Sequence, residues 1–87
     1  MDTPKEDNKD PYNSSIAAIM RARKAELRLT FEELEAGSGI NLRTLKRLIN
    51  DQRPILMGNF VKLAAALKLD PAAVVQSAAD RVENTSA

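Results

Sequence analysis

With 87 residues and 9.6 kDa, the chain has room for one small domain with a modest core, and a large catalytic cleft is not expected. It contains no cysteine and no histidine, so disulfides and thiolate metal sites are excluded, the commonest metal ligand and general base are missing, and a reducing, cytoplasmic home is expected. The net charge of +1 hides a segregation: residues 1–13 and 69–87 each carry −2, whereas residues 14–68 hold ten Lys or Arg against five acids, a distribution compatible with a phosphate backbone met by the middle of the chain only.

Residues 1–13 are polar, include Pro4 and Pro11 and show no periodicity, which predicts a disordered acidic arm. Neither a signal-peptide core nor an apolar run of membrane-spanning length is present, so no membrane partner is expected. Asn13, Ser14 and Ser15 then offer capping side chains, and Ile16, Ile19, Met20 and Leu27 recur at helical intervals, predicting a first helix over about 15–27. Arg23 interrupts that stripe, where its methylenes can lie on the core while the guanidinium reaches water or an acid. Thr30 and Glu33 form a capping box for a second helix over about 31–37, with Phe31 and Leu34 facing inward. Gly39 supplies the positive-φ residue of a tight turn, Ile40 an apolar plug, and Asn41 an N-cap for a third helix over about 42–50. Asp51, Gln52, Arg53 and Pro54 form an exit loop.

Phe60, Leu63, Ala64 and Leu67 predict a fourth helix over about 57–67 with no obvious cap, and Met57 is read as part of its core stripe. Asp70 and Pro71 make an N-cap and N1 pair for a fifth helix through about Asp80 or beyond, and the residues after Glu83 look frayed. On that helix Val74, Val75, Ala78, Ala79 and Val82 form a stripe with two readings: Val74 and Val75 close the core while the rest are good helix formers, or the stripe is a small dimer interface. No strand-like alternation occurs, so the fold class is all-α, a bundle of about five helices. The domain is placed at 14–83, between an arm at 1–13 and a frayed end at 84–87.

The third helix carries the chemistry. Arg43, Lys46, Arg47 and Asn50 fall at i, i+3, i+4 and i+7 and share one face, while Leu45, Leu48 and Ile49 share the opposite one. A helix apolar behind and cationic in front suits a protein core on one side and an anion on the other. The bland alternative is a solvated helix surface. The carboxylates Glu32, Glu33 and Glu35 read as helix-start and packing residues, and no catalytic, metal-binding or cofactor-binding constellation is found.

The order of elements resembles the lambda-repressor/Cro-type helix-turn-helix family over residues 16–75. The resemblance is carried jointly by Leu29-Thr30, Glu33-Leu34, Gly39-Ile40, Thr44-Leu45, Arg47-Leu48, Asn50, Arg53-Pro54, Lys62-Leu63-Ala64 and Ala66-Leu67. It implies a helix-turn-helix formed by helices 2 and 3, a DNA-binding transcriptional regulator rather than an enzyme, and a small phage or mobile-element type repressor that occupies an operator. By the same resemblance Asn41, Leu42, Arg43, Lys46 and Arg47 are the expected base contacts in the major groove. Asn50, Arg53, Thr30 and the start of helix 4 are expected near phosphates. Double-stranded DNA is the expected partner, with a homodimer through helix 5 or formed on DNA.

Three positions depart from the family pattern. Phe31 replaces a frequent glutamine and removes a side-chain phosphate contact. Glu35 replaces a usual alanine, and Ile49 replaces an acid that pairs with a basic residue of helix 1. The last two changes suggest Glu35 as the new partner of Arg23 or Lys24. Phe31, the low net charge and the acidic ends favour an alternative reading, a protein-interaction module of antirepressor or antitoxin type on the same fold.

Overall fold

A computed structural model describes residues 10–86. Its elements are α1 (Pro11–Leu27), α2 (Phe31–Ser38), α3 (Leu42–Ile49), α4 (Met57–Ala66) and α5 (Pro71–Ser86), with no strand among the described residues. The expected all-α bundle and its helix-turn-helix are therefore present.

α1 begins earlier than its apolar stripe suggests. Asp10 is the N-cap, accepting from the Tyr12 N–H at 2.9 Å, and Pro11 fills the position where a missing N–H costs nothing. Pro11, Tyr12 and Asn13 are thus helical rather than part of an arm, and the remainder of the expected arm lies outside the described residues. At the other end α5 continues to Ser86, past the point where fraying was expected. Its cap is the expected one, with Asp70 Oδ1 accepting from the Ala72 N–H at 3.2 Å.

α1, α3 and α4 end in the same way. Arg28, Asp51 and Lys68 take left-handed φ values of 56°, 59° and 57°, letting each fold its N–H back onto the closing turn. The following residue completes the motif: the Leu29, Gln52 and Leu69 N–H groups bond to Lys24, Arg47 and Ala64 carbonyls. Only α2 ends on glycine, Gly39 at φ 76°.

α1 packs on α5 and α3, α2 on α3 and α4, and α4 on α5. Met20, Leu34, Leu45, Leu48, Ile49, Leu63 and Leu67 are fully buried at the centre, joined by Ile40, Phe60, Ala64 and Val74. Two residues of the expected core stripes are exposed instead. Met57, the first residue of α4, is 71% exposed. Val75 is 48% exposed because it sits about 100° around the helix from Val74, and Ala78, one turn on from Val74, is buried instead.

Candidate nucleic-acid interface

The cationic stripe and its apolar back lie where the spacing puts them. Leu45, Leu48 and Ile49 are no more than 1% exposed, while Arg43, Lys46, Arg47 and Asn50 are exposed. Three buried side chains on eight residues fix the rotation of α3, so the basic face can only point outward.

Both ends of α3 are tied. Asn41 Oδ1 accepts from the Arg43 and Thr44 N–H groups at 2.9 and 3.3 Å, and Glu35 Oε2 accepts from the Leu42 N–H at 2.9 Å. The Leu45 N–H bonds to the Asn41 carbonyl at 2.9 Å. The Leu42, Arg43 and Thr44 N–H groups, which the first turn of a helix otherwise leaves orphaned, are thereby satisfied, so a contact made at these three positions must come from side chains. Asn41 has its carbonyl committed to the cap and keeps its amide N–H groups for a partner. Leu42 is half-buried beside it.

Glu35 therefore does not take Arg23 or Lys24 as its partner. Across the glycine turn its carboxylate is nearer the start of α3, where the helix dipole favours an anion. Arg23 instead serves α4: its Nε donates to the Leu67 carbonyl at 3.0 Å, its Nη2 to the Lys68 carbonyl at 3.5 Å, and its Nη1 pairs with Glu26 at 3.3 Å. Arg21 does the same for α3, donating from Nη1 to the Ile49 carbonyl at 2.6 Å. The loss of the acid at position 49 is thus met by a backbone carbonyl of that residue.

The exit loop is held by the first turn of α1. Asp51 accepts from Asn13 Nδ2 at 2.9 Å and from Ser14 Oγ at 2.6 Å, and Asn13 Oδ1 takes the Ile55 N–H at 2.9 Å. Asn13 and Ser14 are not the N-cap of α1; they fasten the loop on which Arg53 stands exposed. Thr30 is exposed and committed locally, its Oγ1 accepting from the Glu33 N–H at 3.0 Å while its own N–H donates to Glu33 Oε1 at 2.8 Å.

Sequence reasoning missed one cluster. Lys24 Nζ lies 4.2 Å from the centroid of the Phe31 ring and Lys46 Nζ lies 5.8 Å from it. Both distances are within cation–π range, and the three residues come from α1, α2 and α3. No periodic signal connects them; a lone aromatic at a position usually given to a polar residue is the only trace in the sequence.

A tight, glycine-capped turn between two short helices, the second packed behind and basic in front, defines the helix-turn-helix class of DNA-binding proteins. A helix-turn-helix family model matches residues 19–74, most of the chain, and the chain belongs to that family, the lambda-repressor/Cro-type or XRE-like one. It is a DNA-binding regulator of the XRE type. No curated protein and no solved structure matches it. No helix among the described residues is long and apolar enough to cross a membrane, and no group of three or more His, Cys, Asp or Glu among them is placed to hold a metal ion.

Proposed function

We propose that the chain is a small repressor of phage or mobile-element type that occupies an operator with α3 in the major groove. The observation that carries this reading is the rotation of α3: three fully buried apolar residues behind it and Arg43, Lys46, Arg47 and Asn50 exposed in front. Arg43 and Arg47 read base edges, most naturally the O6 and N7 acceptors of guanine, with the Asn41 amide and the Leu42 methyl groups contributing at the helix start. Asn50, Arg53 and Thr30 contact phosphates, which sets the register of the protein on the duplex. Repression is then steric, by exclusion of polymerase or a competitor from the occupied site. Two copies, paired through α5 or on the DNA itself, bring two α3 helices onto half-sites about 34 Å apart.

Random-site selection with the purified protein tests the proposal. A recovered motif containing G·C pairs, bound with strong salt dependence, is expected; no salt-dependent binding to any duplex overturns it. The alternative of a protein-interaction module has one structural observation in its favour, the exposed side chains of Leu56, Met57 and Val61 on and before α4. It predicts protein binding that survives charge reversal on α3.

A further inference from the structure

We infer that Lys24, Phe31 and Lys46 form a phosphate-contacting cluster in which the Phe31 ring is a positioning residue, so that Lys46 serves the DNA backbone rather than a base edge. The inference rests on the DNA-binding reading above and deepens it at Lys24 and Lys46, to which the resemblance gives no phosphate role.

Three observations carry it. The two ammonium groups come from different helices yet lie 4.2 and 5.8 Å from one ring centroid, so a single aromatic side chain attracts both. No carboxylate among the described residues forms an ion pair with either. Glu33, close by in sequence, is turned back onto the Thr30 N–H. A ring face attracts a cation without accepting its N–H groups in strong hydrogen bonds, so both ammonium groups keep donors for an anion. Two cations at one ring without a counter-charge among the described residues are a place where a phosphate relieves repulsion. With its ammonium near the ring at the start of α2, Lys46 is thereby assigned to the backbone, and Arg43 and Arg47 to the bases.

Phe31 accordingly replaces a direct polar contact by an indirect one. It is half-buried and packed against the core, which gives the ring a fixed orientation. Phe31→Leu keeps most of the apolar packing and removes the π face; Phe31→Tyr keeps both.

The experiment measures duplex affinity against salt for the full chain and for Lys24→Ala, Lys46→Ala, Phe31→Leu and Phe31→Tyr, each on the selected site and on an unrelated duplex. Each lysine variant is expected to lower the salt slope by about 0.9 unit and to weaken both duplexes by the same factor. Phe31→Leu is expected to weaken both by about threefold, with Phe31→Tyr close to the parent. In the free protein, the Lys24 side-chain methylene protons next to the ammonium should show an upfield ring-current shift in NMR spectra that Phe31→Leu abolishes and Phe31→Tyr retains. An unchanged slope in Lys24→Ala overturns the inference, as does a Lys46→Ala variant that relaxes base preference while the slope stays put. If Phe31→Leu does not fold, the two lysine variants decide. If the parent protein binds no duplex, the DNA reading itself has failed, an outcome distinct from binding with the wrong lysine dependence.

Discussion

α3 and α4 are consecutive helices of eight and ten residues, and α1 treats their C-termini alike, sending Arg21 to the end of one and Arg23 to the end of the other. Their N-termini are treated differently. α3 starts under Asn41 and Glu35, which together engage its first three N–H groups. α4 starts at Leu56 with no side-chain cap, and Leu56 and Met57 are 68% and 71% exposed. The contrast separates two demands on a helix. Burying a stripe fixes where a helix sits and how it is rotated; tying its ends fixes how it points. Both helices have the first, while α3 alone is tied at its start, which is where the side chains proposed to read bases leave it.

The largest effect should come from the shared demand. Leu48→Ala removes a side chain that is 1% exposed and should lower unfolding free energy by about 2–5 kcal/mol in urea titrations. Met57→Ala, one residue into α4, should stay within about 0.5 kcal/mol of the parent. Equal losses at the two positions would mean that the start of α4 is buried in solution and that the contrast is false.

Next is the face that the tied helix displays. Arg47→Ala and Arg43→Ala should each cost about 1–3 kcal/mol of affinity for the selected site and relax preference at one base position, whereas Arg53→Ala should weaken all sequences and lower the salt slope by about one unit. Competition binding against a panel of single-base variants separates the two behaviours.

Asn41→Ala removes the cap of α3 and should cost about 1 kcal/mol of stability. Because Glu35 still holds the Leu42 N–H, the fold should survive, and the informative number is the further loss of site-specific affinity beyond the loss of stability. If Glu35→Gln and Asn41→Ala show no coupling in a double-mutant cycle on DNA binding, the two caps do not act together to aim the helix.

What was legible in the sequence follows the range of each interaction. The capping box at Thr30, the glycine turn at Gly39 and the Asn41 cap are complete within four residues, and all three are as the sequence predicts. Asp10-Pro11 is the same signal as Asp70-Pro71, but it is masked because Asn13, Ser14 and Ser15 look like caps themselves; the true partners of Asn13 and Ser14, Asp51 and Ile55, are some forty residues away. The basic face of α3 is readable because period and burial coincide. Met57 and Val75 are not, because a repeat states which side of a helix is apolar and says nothing about where the neighbouring helix stops. Glu35 needed the geometry of the turn, and the Lys24–Phe31–Lys46 cluster needed three helices in place at once. Of the ties that fix the direction of α3, the Asn41 cap is therefore legible in the sequence, whereas those from Glu35 and Arg21 are disclosed only by the folded chain.

The smallest effect probes the bare end. Leu56 already has the extended backbone of an N-cap, φ −75° and ψ 155°, and its side chain covers little of the core. Leu56→Ser should therefore gain stability, by about 0.5–1 kcal/mol, since a hydroxyl there can accept one of the orphan N–H groups of α4. Leu56→Asp should gain at least as much, because the carboxylate also meets the positive end of the helix dipole. On DNA the two should part. The start of α4 follows directly on the exit loop that carries Arg53, and a new negative charge facing phosphate would weaken binding to every sequence, whereas the serine would not. Thermal melts and salt-dependent binding of the pair decide it: a gain in stability with parallel binding curves would place the start of α4 away from the duplex, and no gain in either variant would mean that this helix start is already satisfied by water.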